Sequence, residues 1–268
     1  MKYCRFILNN AAHFGLVETE GSTGRELITR IFVSDPTARI PDEDAASKRI
    51  DPIAVADARL LAPVVPSKII CVGRNYREHA AELGNPIPTE PLLFFKPPSA
   101  LLDPGAEIRR PTRFSQTIHH EGELGLVIGK TCSKLGENEG AHDYILGYTC
   151  VNDVTARDLQ KKDGQWTRAK GFDTFCPVGP VVVDGLDVSA GVEVETRVNG
   201  EVRQRGTTSD FIFSLDAIMR YVSAAFTLFP GDLIATGTPE GVGPLNAGDV
   251  VEVSVAGVGT LRNSVIDD

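Results

Sequence analysis

Short apolar runs, each bounded by glycine, proline or a polar turn residue, recur along most of this chain and limit what it can fold into. Leu92–Phe95, Glu123–Ile128, Ile145–Val151, Val178–Val183, Val192–Val198, Leu233–Thr236 and Val250–Val255 all have strand length and strand composition. "VNGEV" at 198–202 places Asn-Gly between strand-like flanks, a strong short hairpin signal. Helical stretches are few. "YREHAAELG" is short and closes at Gly84; "SLDAIMRYVSAAF" is amphipathic with Ser214 as its cap. "TARDLQKK" reads as a helix with Thr155 as N-cap and Asp158 at the third helical position. Many strands and short helices predict a mainly β, α+β fold of mixed β-sandwich or β-roll type rather than a doubly wound sheet.

The first residues, "RFILNNAAHFGLVETEG", predict two strands around an asparagine turn. "VSDPTARIPDEDAASKRIDP" after them is polar and proline-bearing, as linkers are. The expected division is a small N-terminal β domain over 1–65 and a main domain over 66–268, opened by the buried strand Ile69–Val72. A chain of 268 residues has room for both. A net charge of −9 argues against nucleic acid or an anionic membrane as partner. Five cysteines without a C-x-x-C pair imply reduced thiols. With no signal-peptide pattern and no apolar run of spanning length, a cytoplasmic, soluble protein is expected.

Within "HHEGELGLVIGK" (119–130), Glu121 and Glu123 stand two apart in an otherwise apolar strand, so their side chains share a face. Two carboxylates side by side repel, and burial makes this costly. Asp153, in "GYTCVNDVTARD", lies where the apolar strand 145–151 ends. Three carboxylates without cysteine suit a hard divalent cation, Mg²⁺ or Mn²⁺, which keeps waters that a substrate can displace. From spacing alone a solvent-facing edge fits the pair equally well. His79 and Glu82, three apart, share a helix face, either as a surface pair or as a base oriented by a carboxylate. There is no G-x-S-x-G elbow, and "TGTPEGVG" lacks the G-K-[ST] ending of a P-loop.

Six motifs in one order, "GRNYREHAAELG" (73–84), "LFFKPPSAL" (93–101), "HHEGELGLVIG" (119–129), "NDVTARDLQ" (152–160), "WTRAKGFDTFCPVGP" (166–180) and "GDLIATGTPEGVG" (231–243), resemble the fumarylacetoacetate hydrolase superfamily, in particular its acylpyruvase-like and decarboxylase-like members. The resemblance implies that Glu121, Glu123 and Asp153 hold Mg²⁺ or Mn²⁺. It implies that His79 and Glu82 form a water-activating pair on a lid over Tyr76–Pro88, and that Lys170 is an active-site lysine. Arg157, Gln160 and Thr238 correspond to pocket positions; Arg74 and Asn75 belong to a loop that is either pocket rim or structural. His119 and His120 are read as strand-entry residues, His120 on the face opposite the ligands.

What the resemblance implies about activity is a metal-dependent hydrolase that cleaves a C–C bond of an acylpyruvate to pyruvate and an acid. The alternative is a decarboxylase or isomerase of dicarboxylic 2-oxo acids. From another class, a Schiff base on Lys170 is conceivable. The expected partners are a small 2-oxo acid and a second copy of the chain in a homodimer.

Overall fold

The structure, a computed structural model, describes residues 1–21, 23–38, 47–82, 84 and 86–268. A mixed sheet of twelve strands dominates it. Its main path runs Ser47–Ala54, Glu26–Phe32, Ala11–Thr19, Lys2–Leu8, Cys176–Val183, Ile145–Asn152, Gly122–Ile128, Leu233–Ala235, Ile69–Gly73 and Leu92–Lys96. A second sheet, of five strands, runs Glu201–Thr207, Glu193–Val198, Val250–Val255, Gly259–Asp267 and Glu107–Arg110. Leu124 and Leu126 of the first sheet pack with Val194, Val253 and Leu261 of the second in one apolar cluster. The mainly β sandwich expected from the strand pattern is what forms.

Gly122–Ile128 and Ile145–Asn152 are buried along their whole length. Each is paired on both edges and covered on both faces, which is why they read as unbroken apolar runs instead of alternating. Asn199 and Gly200 both take positive φ (54° and 82°), the type I′ geometry that the Asn-Gly signal predicts. Asn9 and Asn10 do the same at the first hairpin.

Three local expectations change. Ser47–Ala54, placed in the polar linker, is an edge strand hydrogen-bonded to Glu26–Phe32; its charged residues face outward, so composition hid it. Residues 39–46 of that segment lie outside the described residues. Thr155 is not a helix cap: it sits in a short strand and its hydroxyl donates to Asp153 O at 2.9 Å, while the helix Arg157–Asp163 begins after Ala156 without a side-chain cap. Asp158 is consequently its second residue, and its carboxylate accepts from Ser115 and from the Gln116 and Leu159 amides. The helix Leu215–Ala225 is as expected, with Ser214 accepting from Ala217 N–H. No helix among the described residues is long and apolar enough to cross a membrane.

Candidate active site

Glu121 links the strand Ile118–His120 to Gly122–Ile128 and is tied to the end of its neighbour. Its N–H donates to Asn152 Oδ1 (3.1 Å) and its carbonyl accepts from Asp153 N–H (2.8 Å). Those two bonds bring Asp153, far along the chain from Glu121, beside the glutamates. Oxygens of Glu121, Glu123 and Asp153 lie within 4.8 Å of one another, and all three side chains are buried.

Their charges are answered unequally. Arg157 is in ion-pair contact with Glu121. Lys170 Nζ bridges Glu121 Oε2 (2.9 Å) and Asp153 Oδ2 (2.6 Å). Lys96 Nζ donates to the other Asp153 oxygen, Oδ1, at 2.5 Å and to Val154 O at 3.1 Å. Glu123 has no lysine or arginine partner among the described residues; its Oε2 accepts only from Gly237 N–H, at 2.8 Å. Burial, with Asp153 and Glu121 adding, pushes the Glu123 carboxyl well above the usual range. Burial would raise Glu121 too, but Arg157 and Lys170 outweigh it and hold this carboxyl low. Burial opposes charge on Lys170, yet Asp153 and Glu121 raise its pKa, so it is an ammonium and a poor amine nucleophile. That disfavours the Schiff-base alternative.

This donor set fits a hard divalent ion. Three buried carboxylates converge, and Glu123, which has no lysine or arginine partner among the described residues and whose pKa burial pushes up, is the one a cation would relieve most. The residues that would hold it are Glu121, Glu123 and Asp153.

A cavity of about 450 Å³ opens over the cluster. Arg74, His79, Glu82, Arg157, Gln160, Lys170 and Thr238 line it with the three acids, so every site residue expected from the sequence is brought together. A larger groove, of about 810 Å³, lies elsewhere, between residues 54–60 and 103–106, and holds no such carboxylate cluster among the described residues.

His79 is carried by the helix Arg77–Glu82. Its ring is buried, with Nδ1 3.3 Å from Glu82 Oε2, while Glu82 Oε1 accepts from Gly241 N–H at 3.1 Å. The dyad is thereby fastened to the loop that carries Thr238. Burial lowers the His79 pKa, Glu121 and Glu82 pulling the other way, so the ring is neutral at pH 7. Leu83 and Asn85 of the expected lid lie outside the described residues.

Asn75 is an anchor rather than a rim residue. Fully buried, it donates to Thr236 O (2.9 Å) and accepts from Phe213 N–H (2.8 Å). Arg74 does reach the rim, at φ +57°, with its guanidinium 5.9 Å from the Trp166 ring centre. His119 and His120 line no part of the cavity; His119 Nδ1 accepts from Arg157 Nε (3.4 Å), and His120 turns to Gln204. Lys96, Trp166, Phe94 and Lys161 belong to the site but were not singled out from the sequence. For Lys96 a signal existed: a lysine inside "LFFKPP", on the strand phase that Phe94 shares.

A strand-rich core holding buried carboxylates beneath a His–Glu pair is an enzyme-type site. The family model for the fumarylacetoacetate (FAA) hydrolase C-terminal region matches residues 68–266. The crystal structure of a 5-carboxymethyl-2-hydroxymuconate delta-isomerase from Mycobacterium smegmatis matches at a TM-score of 0.87 and 42% identity, over 100% of both chains. A 2,4-didehydro-3-deoxy-L-rhamnonate hydrolase from Sphingomonas sp. (strain SKA58) is 39% identical across 99% of this chain and 96% of its own. The oxaloacetate tautomerase YisK of Bacillus subtilis is 42% identical over 225 residues, 79% of this chain and 74% of its own. The chain belongs to the fumarylacetoacetate hydrolase family.

Proposed function

We propose that this protein is a Mg²⁺- or Mn²⁺-dependent hydrolase of an acylpyruvate-type 2,4-dioxo acid, releasing pyruvate and a carboxylic acid. The observation that carries this reading is the buried His79, oriented by Glu82 and facing the same cavity as the three acids; burial lowers its pKa and so favours the neutral, proton-accepting form. Such a base has a purpose when a water must be activated. The divalent ion, when bound, would polarise the 2-oxo group and stabilise negative charge on it. His79 takes a proton from water; the hydroxide attacks the C4 carbonyl; the C3–C4 bond breaks, its electron pair passing into the enolate of the 2-oxo acid. Protonation at C3 then gives pyruvate. Lys170 and Arg157 keep positive charge beside the carboxylates as the enolate forms. The full-length similarity to a hydrolase of a 2,4-didehydro-3-deoxy acid supports this.

A second reading, isomerisation or decarboxylation of dicarboxylic 2-oxo acids such as oxaloacetate, is favoured by the likeness to an isomerase and an oxaloacetate tautomerase. It uses the same enolate without an attacking water. The deciding experiment assays acylpyruvates, fumarylpyruvate, oxaloacetate and unsaturated 2-oxo-dioates with Mg²⁺, Mn²⁺ or EDTA. Acylpyruvate hydrolysis that EDTA abolishes is expected, with Glu123→Gln losing both ion binding and most activity. Turnover of oxaloacetate or the dioates with no acylpyruvate cleavage would replace the first reading by the second.

A further inference from the structure

The hairpin formed by Glu193–Val198 and Glu201–Thr207 supplies no wall of the cavity, yet one of its side chains reaches the peptide between the two glutamates. Gln204 is 1% exposed and uses its whole amide there. Oε1 accepts from Gly122 N–H at 2.9 Å and lies 3.0 Å from His120 Nδ1, which donates to it. Nε2 donates to Thr238 Oγ1 at 2.7 Å and to Pro239 O at 2.8 Å. Thr238 Oγ1 in turn donates to Gly122 O at 2.8 Å.

Both ends of the Gly122 residue are therefore gripped, its N–H by Gln204 and its carbonyl by Thr238. Glu121 and Glu123 project from either side of this residue, so its orientation sets the spacing of their carboxylates. Thr196, directly across the hairpin from Gln204, closes the remaining side: a Cβ on Gly122 would lie 2.0 Å from Thr196 Oγ1. The Thr238 hydroxyl, its proton committed to Gly122 O and one lone pair to Gln204, can turn only an acceptor toward the cavity.

We infer that Gln204 is a positioning residue: it touches neither ion nor substrate, but fixes the two glutamates through Gly122 and sets which face Thr238 shows the ligand. This rests on the proposed ion and 2-oxo acid site. A buried amide with four partners could also be structural only, and the two roles differ in what they leave unchanged.

The test compares Gln204→Met, which keeps the volume and loses every bond, with Gln204→Glu, which keeps acceptors for Gly122 N–H but loses the donor to Thr238. Mn²⁺ affinity is measured by calorimetry and kinetics by initial rates, on folded protein well below its unfolding temperature. Gln204→Met should weaken Mn²⁺ binding and raise KM, each by about tenfold, the scale of one lost hydrogen bond, with a smaller change in kcat. Gln204→Glu should recover most of the ion affinity but not KM. In a Thr238→Val background, Gln204→Glu should add nothing to KM, because the route is already cut. That cycle still decides the matter if Gln204→Met does not fold. Variants with lowered thermal stability but wild-type Mn²⁺ affinity and KM, or additive effects in the cycle, would overturn the inference. Wild-type protein that neither binds Mn²⁺ nor turns over a 2-oxo acid would instead refute the functional reading on which it rests.

Discussion

His79 carries the sharpest prediction at the scale of single residues. If it activates water, His79→Ala lowers turnover of an acylpyruvate by about 10²–10⁴ and leaves Mn²⁺ affinity unchanged; Glu82→Gln has the same effect, more weakly. Burial places the His79 pKa below 6.5, so the acid limb of kcat/KM should lie below pH 6.5. Glu82 raises that pKa, so Glu82→Gln should shift the limb lower still, which a pH–rate profile of both proteins checks. An unchanged rate in His79→Ala would move the base elsewhere. Lys96 makes a separate prediction about stability. Its ammonium is wholly buried against Asp153, and removing one partner of a buried pair leaves the other charge poorly compensated. Lys96→Met should cost about 3 kcal/mol in urea unfolding; a cost below about 0.5 kcal/mol would mean that Lys170 alone satisfies Asp153.

At the scale of elements, the strand Gly122–Ile128 must be both core and active-site floor. Its apolar residues are held by neighbours on both edges, while Glu121 just before it and Glu123 within it hand two carboxylates to the cavity. Gly122 is where these duties conflict, because Thr196 occupies the space of any Cβ. Gly122→Ala should destabilise the protein by about 1–3 kcal/mol, the range for overpacking, and weaken ion binding. Adding Thr196→Ala should restore part of both. Thermal melts and calorimetry on the single and double variants read this directly; an undisturbed Gly122→Ala protein would show that the hairpin yields easily. The short helix Arg77–Glu82 has the opposite character. It is held at its base by Tyr76, whose ring meets Phe211 edge-on at 5.0 Å, and at its end by the Glu82–Gly241 bond.

At the scale of the whole molecule, the N-terminal strands extend the large sheet. Lys2 and Tyr3 pair with Val183 and Val182, and Tyr3 and Phe32 share a core cluster with Val178 and Val182. Phe6 and Ile28 sit in the cluster that holds Leu124 and Leu126. Deleting residues 1–65 would open an unpaired edge on Cys176–Val183 and uncover that apolar surface. The fragment 66–268 is therefore expected to be less stable, to bind a hydrophobic dye and to aggregate, although all the site residues lie within it. A fragment with the unfolding temperature of the full chain would show the two parts to be independent.

The strand-length apolar runs, the Asn199-Gly200 turn and the Ser214 cap were legible in the sequence, because each depends on residues a few positions apart. So was the candidacy of Glu121, Glu123 and Asp153: acids inside or just beyond apolar runs require compensation wherever the chain goes. The edge strand Ser47–Ala54 was not legible, since an edge exposes one side and dilutes its apolar pattern with charge. Thr155 carried a helix-start signal that the bond to Asp153 O overrode. Lys96 looked like any lysine until tertiary pairing set it against Asp153, and Gln204 like any polar strand residue until the second sheet laid it on Gly122. Local chemistry marks which groups need partners. Which partners they find depends on strand pairings across fifty to a hundred residues, and only the tertiary structure decides those.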